Sequence, residues 1–260
     1  MSETSVLASA LRRDRLIVIG GLLGVVALSW LYLFRRTGMD MQAMGDMAMP
    51  MAPMPWSPGY FALIVAMWIV MMAAMMLPSA APVILLYATI ARRRRQQGAA
   101  APAAGLFALG YVVVWAVFGL LAATLQWGLD AALLLSPLMA TTSVAVAGLV
   151  LVAAGLYQWT PLKQACLRQC RSPLDFLLGD WREGSRGAVA MGTRHGLFCL
   201  GCCWMLMLLL FVGGVMNLLW IAVLALFVLI EKAAPGGHWI GRAAGAVLTA
   251  WGGAALLSLA

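Results

Sequence analysis

Cys199, Cys202 and Cys203 crowd three thiols into five positions, and His195 precedes the first of them by one turn. On an α-helix advancing about 100° per residue, Cys202 lies roughly 60° and Cys203 roughly 40° from Cys199, so the three share a side. Thiolate, imidazole and thioether are donors that soft or borderline metals prefer. His195 and Cys202 are separated by about 10 Å along such a helix, too far to share one ion easily. A site built on these thiols therefore needs a sulfur from elsewhere in the chain.

Other soft donors are available. Met67, Met71 and Met75 recur at i, i+4 and i+8 and form a stripe, with Met72 and Met76 beside it. Pro78 follows at the end of this stripe and frees a backbone carbonyl, as broken membrane helices do. Cys166 and Cys170 are four residues apart and stack on one helical face. Met39, Met41, Met44, Met47, Met49, Met51 and Met54 crowd a Pro- and Gly-containing segment with no apolar partner of its own. Thioether sulfur needs no deprotonation, so this segment suits Cu(I) capture in an oxidising compartment. Each cluster also has a plainer reading: packing for the methionine stripe, buried core for Cys199, Cys202 and Cys203, a lipid-facing cytoplasmic surface for Cys166 and Cys170, and a featureless linker for the loop.

The elements that position these residues are transmembrane helices. Of 260 residues, 64% are hydrophobic and 10% charged, with a mean hydropathy of +0.95. Soluble domains are about half apolar and a quarter charged. The expected fold is all-α, a polytopic helix bundle of about seven spans: 16–34, 59–91, 104–126, 138–159, 196–215, 217–231 and 241–260. Pro78 and Pro82 predict a kink or an early end in the second. All 17 Lys and Arg except Arg35 and Arg36 fall on one side of this arrangement. That bias puts the N-terminus in the cytoplasm and the C-terminus outside, in a multi-pass protein of the cytoplasmic membrane. The methionine segment becomes an external loop, 37–58, and Cys166 and Cys170 fall in a cytoplasmic loop, 160–195, with two short helices around Pro173. The 260 residues then form one membrane domain. The net charge of +8 follows from this topology and does not call for a nucleic-acid partner.

Three blocks carry a family resemblance: MWIVMMAAMMLPSA (67–80), YQWTPLKQACLRQCRSP (157–173) and HGLFCLGCCWMLMLLLFVGGVMNLLWIAVLALFVLIEK (195–232). They resemble bacterial predicted metal-binding integral membrane proteins, a family catalogued as a domain of unknown function. The resemblance implies metal-binding roles for Met71, Met72, Met75, Met76, Cys166, Cys170, Cys199, Cys202 and Cys203, with copper handling as the theme. The methionine-rich loop and the last span lie outside the matching blocks.

The leading expectation is a membrane copper-binding protein that transports Cu(I) or delivers it to a membrane or periplasmic protein partner. The route expected runs from the methionine loop, through the Met67–Met76 stripe, to Cys199, Cys202 and Cys203, and then to Cys166 and Cys170. No ATP-binding motif is visible, and two histidines, His195 and His238, give no haem pair within the spans. A membrane thiol oxidoreductase using the Cys199-Leu200-Gly201-Cys202 pair, or a metal-dependent subunit of an oxidase-type complex, is the alternative. A structural or assembly subunit, in which the sulfurs only pack, is the third reading.

Overall fold

The structure is a computed structural model that describes residues 18–35, 56–99, 102–136, 139–179 and 181–259. Met39 to Met54, the expected capture loop, lies outside the described residues. Among the described residues ten helices follow one another: α1 (Val18–Arg35), α2 (Pro58–Gln96), α3 (Ala104–Ala131), α4 (Val144–Tyr157), α5 (Pro161–Arg171), α6 (Pro173–Gly179), α7 (Gly184–Leu208), α8 (Leu210–Gly213), α9 (Leu218–Ala233) and α10 (Gly237–Leu257). No strand occurs among the described residues; Leu135 and Thr141 form an isolated bridge.

Five helices are long and apolar enough to cross a membrane: α1, α2, α3, α7 continued by α8, and α10. The count becomes six if α4 and α5, bent by 64° at a short break, form one span. The sixth expected segment, 217–231, is α9, a helix of 16 residues that falls short of that length. Its ends are set chemically. The Asn217 side chain accepts from the Trp220 amide at the start, and Pro235 follows its last residues.

Two expected boundaries move. α2 runs through both Pro78 and Pro82 for 39 residues instead of ending early. Hydroxyl groups supply donors in this stretch: Ser79 Oγ and Tyr111 Oη both donate to the Met76 carbonyl, at 2.8 and 3.1 Å. α7 begins at Gly184, not near 196, so the expected cytoplasmic loop 160–195 is largely helical. His195 and Cys199 accordingly lie in the interior of a long helix, about three to four turns from its start.

Glycines set how closely the helices pack. α3 and α7 touch backbone to backbone, because a Cβ on Gly110 would lie 2.8 Å from the Thr193 amide and one on Gly192 2.8 Å from the Phe107 carbonyl carbon. α4 and α10 meet in the same way: a Cβ on Gly252 would fall 2.7 Å from the Gly148 carbonyl oxygen. The two ends of the bundle differ in charge. Arg92 to Arg95, Arg168, Arg171, Arg182, Arg186 and Arg242 gather at one end, where Arg94 covers the Trp181 ring at 4.4 Å and pairs with Glu183 at 3.8 Å. At the other end Trp56 Nε1 donates to Asp130 at 2.6 Å.

A buried ion pair fixes α5. Thr160 caps its first turn by accepting from the Lys163 amide, and Pro161 breaks continuity with α4. Lys163, fully buried, reaches Glu231 on α9, with Nζ 2.7 Å from Oε1 and 2.9 Å from Oε2, and also donates to Gln158 Oε1. Glu231 thus pairs across the bundle with Lys163, not with its neighbour Lys232. Arg171 closes the other end of α5 by donating to the carbonyls of Glu231 and Ala234, at 3.1 and 2.7 Å. Glu231→Gln strands a buried ammonium and is expected to cost about 3–5 kcal/mol, whereas replacing Lys163 and Glu231 together by Met costs far less. Thermal unfolding in detergent measures both; equal losses would show that the charges themselves do not hold α5.

Candidate metal centre

The docking of α5 onto α7 builds the sulfur cluster. Gly201 has no side chain to hold α5 away; a Cβ there would stand 2.6 Å from Cys166 Sγ. Tyr157, at the end of α4, donates its hydroxyl to the Gly201 carbonyl at 2.5 Å and pins the same turn of α7. One turn beyond Cys166, Cys170 brings its thiol against Cys199 and Cys202. Cys166 and Cys170 were expected as a separate terminal station. Here Cys170 joins the α7 thiols directly, and Cys166 packs on the backbone beside them.

Cys199 is the hub. Its Sγ receives Lys232 Nζ at 2.9 Å and lies 3.0 Å from the Tyr111 hydroxyl. Cys202 and Cys203 donate their thiols to the Cys199 carbonyl at 3.1 and 3.0 Å, a local bond that hydroxyl- and thiol-bearing residues make within a helix. Cys203 Sγ also stands 4.0 Å from Met76 Sδ on α2. All five cysteines are free, and Cys199, Cys202 and Cys203 are shut off from solvent. Three buried thiols, the half-buried Cys170 thiol and one thioether, from α2, α5 and α7, therefore lie together.

The remaining expected donors divide. Met67, Met71, Met72 and Met75 are buried in the core with Met76, and the described contacts bring only Met76 against a thiol. His195, 2% exposed, sits among Phe176, Tyr111 and Phe107, with ring centroids 5.2, 5.8 and 6.2 Å away. Its Nδ1 has no hydrogen-bond partner. Among the described residues, no group of three or more His, Cys, Asp and Glu side chains is arranged to hold a metal ion as it stands. The reason is visible in the hydrogen bonds: Cys202 and Cys203 point at a carbonyl instead of at a shared centre.

Two residues that matter to this region, Lys232 and Tyr111, were not singled out from the sequence in this role. Lys232 Nζ reaches both Cys199 and Ser79 Oγ, the latter at 3.0 Å, and so links α9, α7 and α2. Tyr111 bridges the Met76 carbonyl and the Cys199 sulfur. A lone cation at the end of the apolar stretch 218–232 was the available signal for Lys232, since a charge kept in such a stretch marks a functional or paired site. Tyr111 in an apolar helix gave no comparable signal. Tyr111→Phe removes the bridge and is expected to lower stability by about 1 kcal/mol. A variant whose thermal unfolding matches the parent would show that the phenol does not hold α2, α3 and α7 together.

No curated protein and no solved structure matches the chain. A family model described as PpoB2, copper chaperone, matches residues 65–255. That stretch takes in the methionine stripe, all five cysteines, Tyr111 and Lys232, and covers most of the sequence. The chain belongs to the PpoB2 copper chaperone family.

Proposed function

We propose that this protein is a multi-pass copper chaperone of the bacterial cytoplasmic membrane that holds Cu(I) on the buried sulfur cluster and hands it to a membrane or periplasmic protein. The observation that carries the reading is the meeting of Cys170, Cys199, Cys202, Cys203 and Met76 at one depth in the bundle. A cuprous ion is satisfied by a pair of sulfur donors, so it does not require a preformed three-ligand cage. Thiolate and thioether sulfur select it over hard cations. Binding needs Cys202 or Cys203 to turn from the Cys199 carbonyl, a side-chain rotation of the ordinary staggered kind.

Charge balance supports the same reading. A cuprous ion on a pair of thiolates carries one net negative charge, and a buried uncompensated charge is costly. Lys232, already on Cys199, supplies the compensating cation. The methionine segment 39–54 enters this scheme as an outer capture loop, and delivery rather than pumping suits a chain with no nucleotide-binding motif.

Copper analysis of detergent-purified protein after anaerobic Cu(I) loading tests the proposal. The parent is expected to retain stoichiometric copper, and Cys199→Ser to weaken Cu(I) binding by more than about 100-fold, beyond the usual effect of losing a supporting residue. Replacing Cys199, Cys202 and Cys203 together by Ser should abolish binding while the helical content is kept. A parent with no copper above background would overturn the reading.

A further inference from the structure

α5 has two working faces. Lys163, Cys166 and Cys170 point into the bundle. About 120° around the helix, Leu167, Arg168 and Arg171 face α10 and line an open pocket of about 480 Å³ with Pro161, His238 and Arg242. None of the pocket-lining residues is a carboxylate. Arg171 spends its guanidinium on two backbone carbonyls, so its charge has no anionic partner there. Arg242 lies over the Trp239 ring at 5.1 Å, and that ring stands beside His238 with centroids 5.4 Å apart.

The position of this pocket narrows what can fill it. His238 and Arg242 occupy the first two turns of α10, where that candidate span begins. Trp239 between them is 64% exposed, as an aromatic at the headgroup level of a bilayer is. The floor of Pro161 and Leu167 is apolar. The cavity is thus cationic, without a competing acid, and open at the depth where headgroups lie. Arg94, at the same end, differs, since it is already paired with Glu183 and Trp181.

We propose that the cleft between α5 and α10 is a binding site for the phosphate of an anionic phospholipid headgroup, held by Arg168, Arg171 and Arg242. Basic pockets between helices at a membrane surface take such headgroups, and each Arg near the surface contributes to the attraction. The site lies on a different face of α5 from the thiols and stands whether or not the cluster binds copper.

Native mass spectrometry of the full chain, extracted from vesicles of equal phosphatidylglycerol and phosphatidylcholine, reads this directly. The parent is expected to retain phosphatidylglycerol preferentially. Arg168→Gln with Arg242→Gln should reduce that retention about 30-fold, equivalent to about 1 kcal/mol per arginine removed. Arg93→Gln with Arg95→Gln, the same charge change outside the pocket, should leave it unaltered. Loss in both variants alike would reduce the effect to general electrostatics and overturn the proposal. So would equal retention of the two lipids by the parent, a measurement that needs no variant. Displacement of the lipid by millimolar inorganic phosphate would also overturn it, in favour of a free-anion site. Unchanged retention in the Arg168/Arg242 variant would leave the pocket to an acidic protein segment instead.

Discussion

The Lys163–Glu231 ion pair is the constraint on which the rest of the arrangement turns. Both side chains are almost completely buried, at 0% and 1% exposure, so neither is stable there without the other. An ammonium on a short helix after a 64° break can meet a carboxylate on α9 only if α5 folds back against the bundle. Arg171 then finds the carbonyls at the end of α9, and the two anchors hold α5 at both of its ends. Cys166 and Cys170, between those anchors, have no freedom to face anything but α7.

The depth of the cluster is set separately, by α3 and α7. Gly110, Gly192 and Gly196 let the two backbones approach until one helix nearly touches the other. That contact places Tyr111 level with Cys199 and Met76, and its single hydroxyl serves both. Larger residues at those glycines would separate the helices and pull the phenol from the sulfur. The arrangement of the sulfurs therefore rests on residues that contain no sulfur.

Part of this was legible in the sequence and part was not, for physical reasons. Apolar length and composition gave an all-helical bundle, because lipid leaves a spanning chain little other choice. Helical periodicity put Cys199, Cys202 and Cys203 on one side of α7, and the hydrogen bonds of Cys202 and Cys203 to one carbonyl agree. The start of α7 was hidden, since Gly184–His195 is polar enough to read as loop and becomes helix through packing on α3. The partner of Glu231 was hidden too. Adjacent residues on a helix point about 100° apart, so Glu231 and Lys232 face different neighbours and each finds one distant in sequence. The meeting of Cys170 with the α7 thiols follows from that long-range pair and could not be read from local spacing.

The exchange of partners at Glu231 and Lys232 has a consequence for the cluster. Had Glu231 paired with Lys232, the ammonium would have been neutralised by a carboxylate instead of resting on Cys199. With Glu231 committed to Lys163, Lys232 is left with a serine hydroxyl and a sulfur as its described partners. An ammonium at that sulfur is placed to offset the negative charge that a soft metal ion on a pair of thiolates would leave in the apolar interior. The same ion pair that docks α5 thus also releases the cation that Cys199 uses. Structural and chemical roles are shared between two neighbouring residues because a helix turns them toward different walls of the bundle.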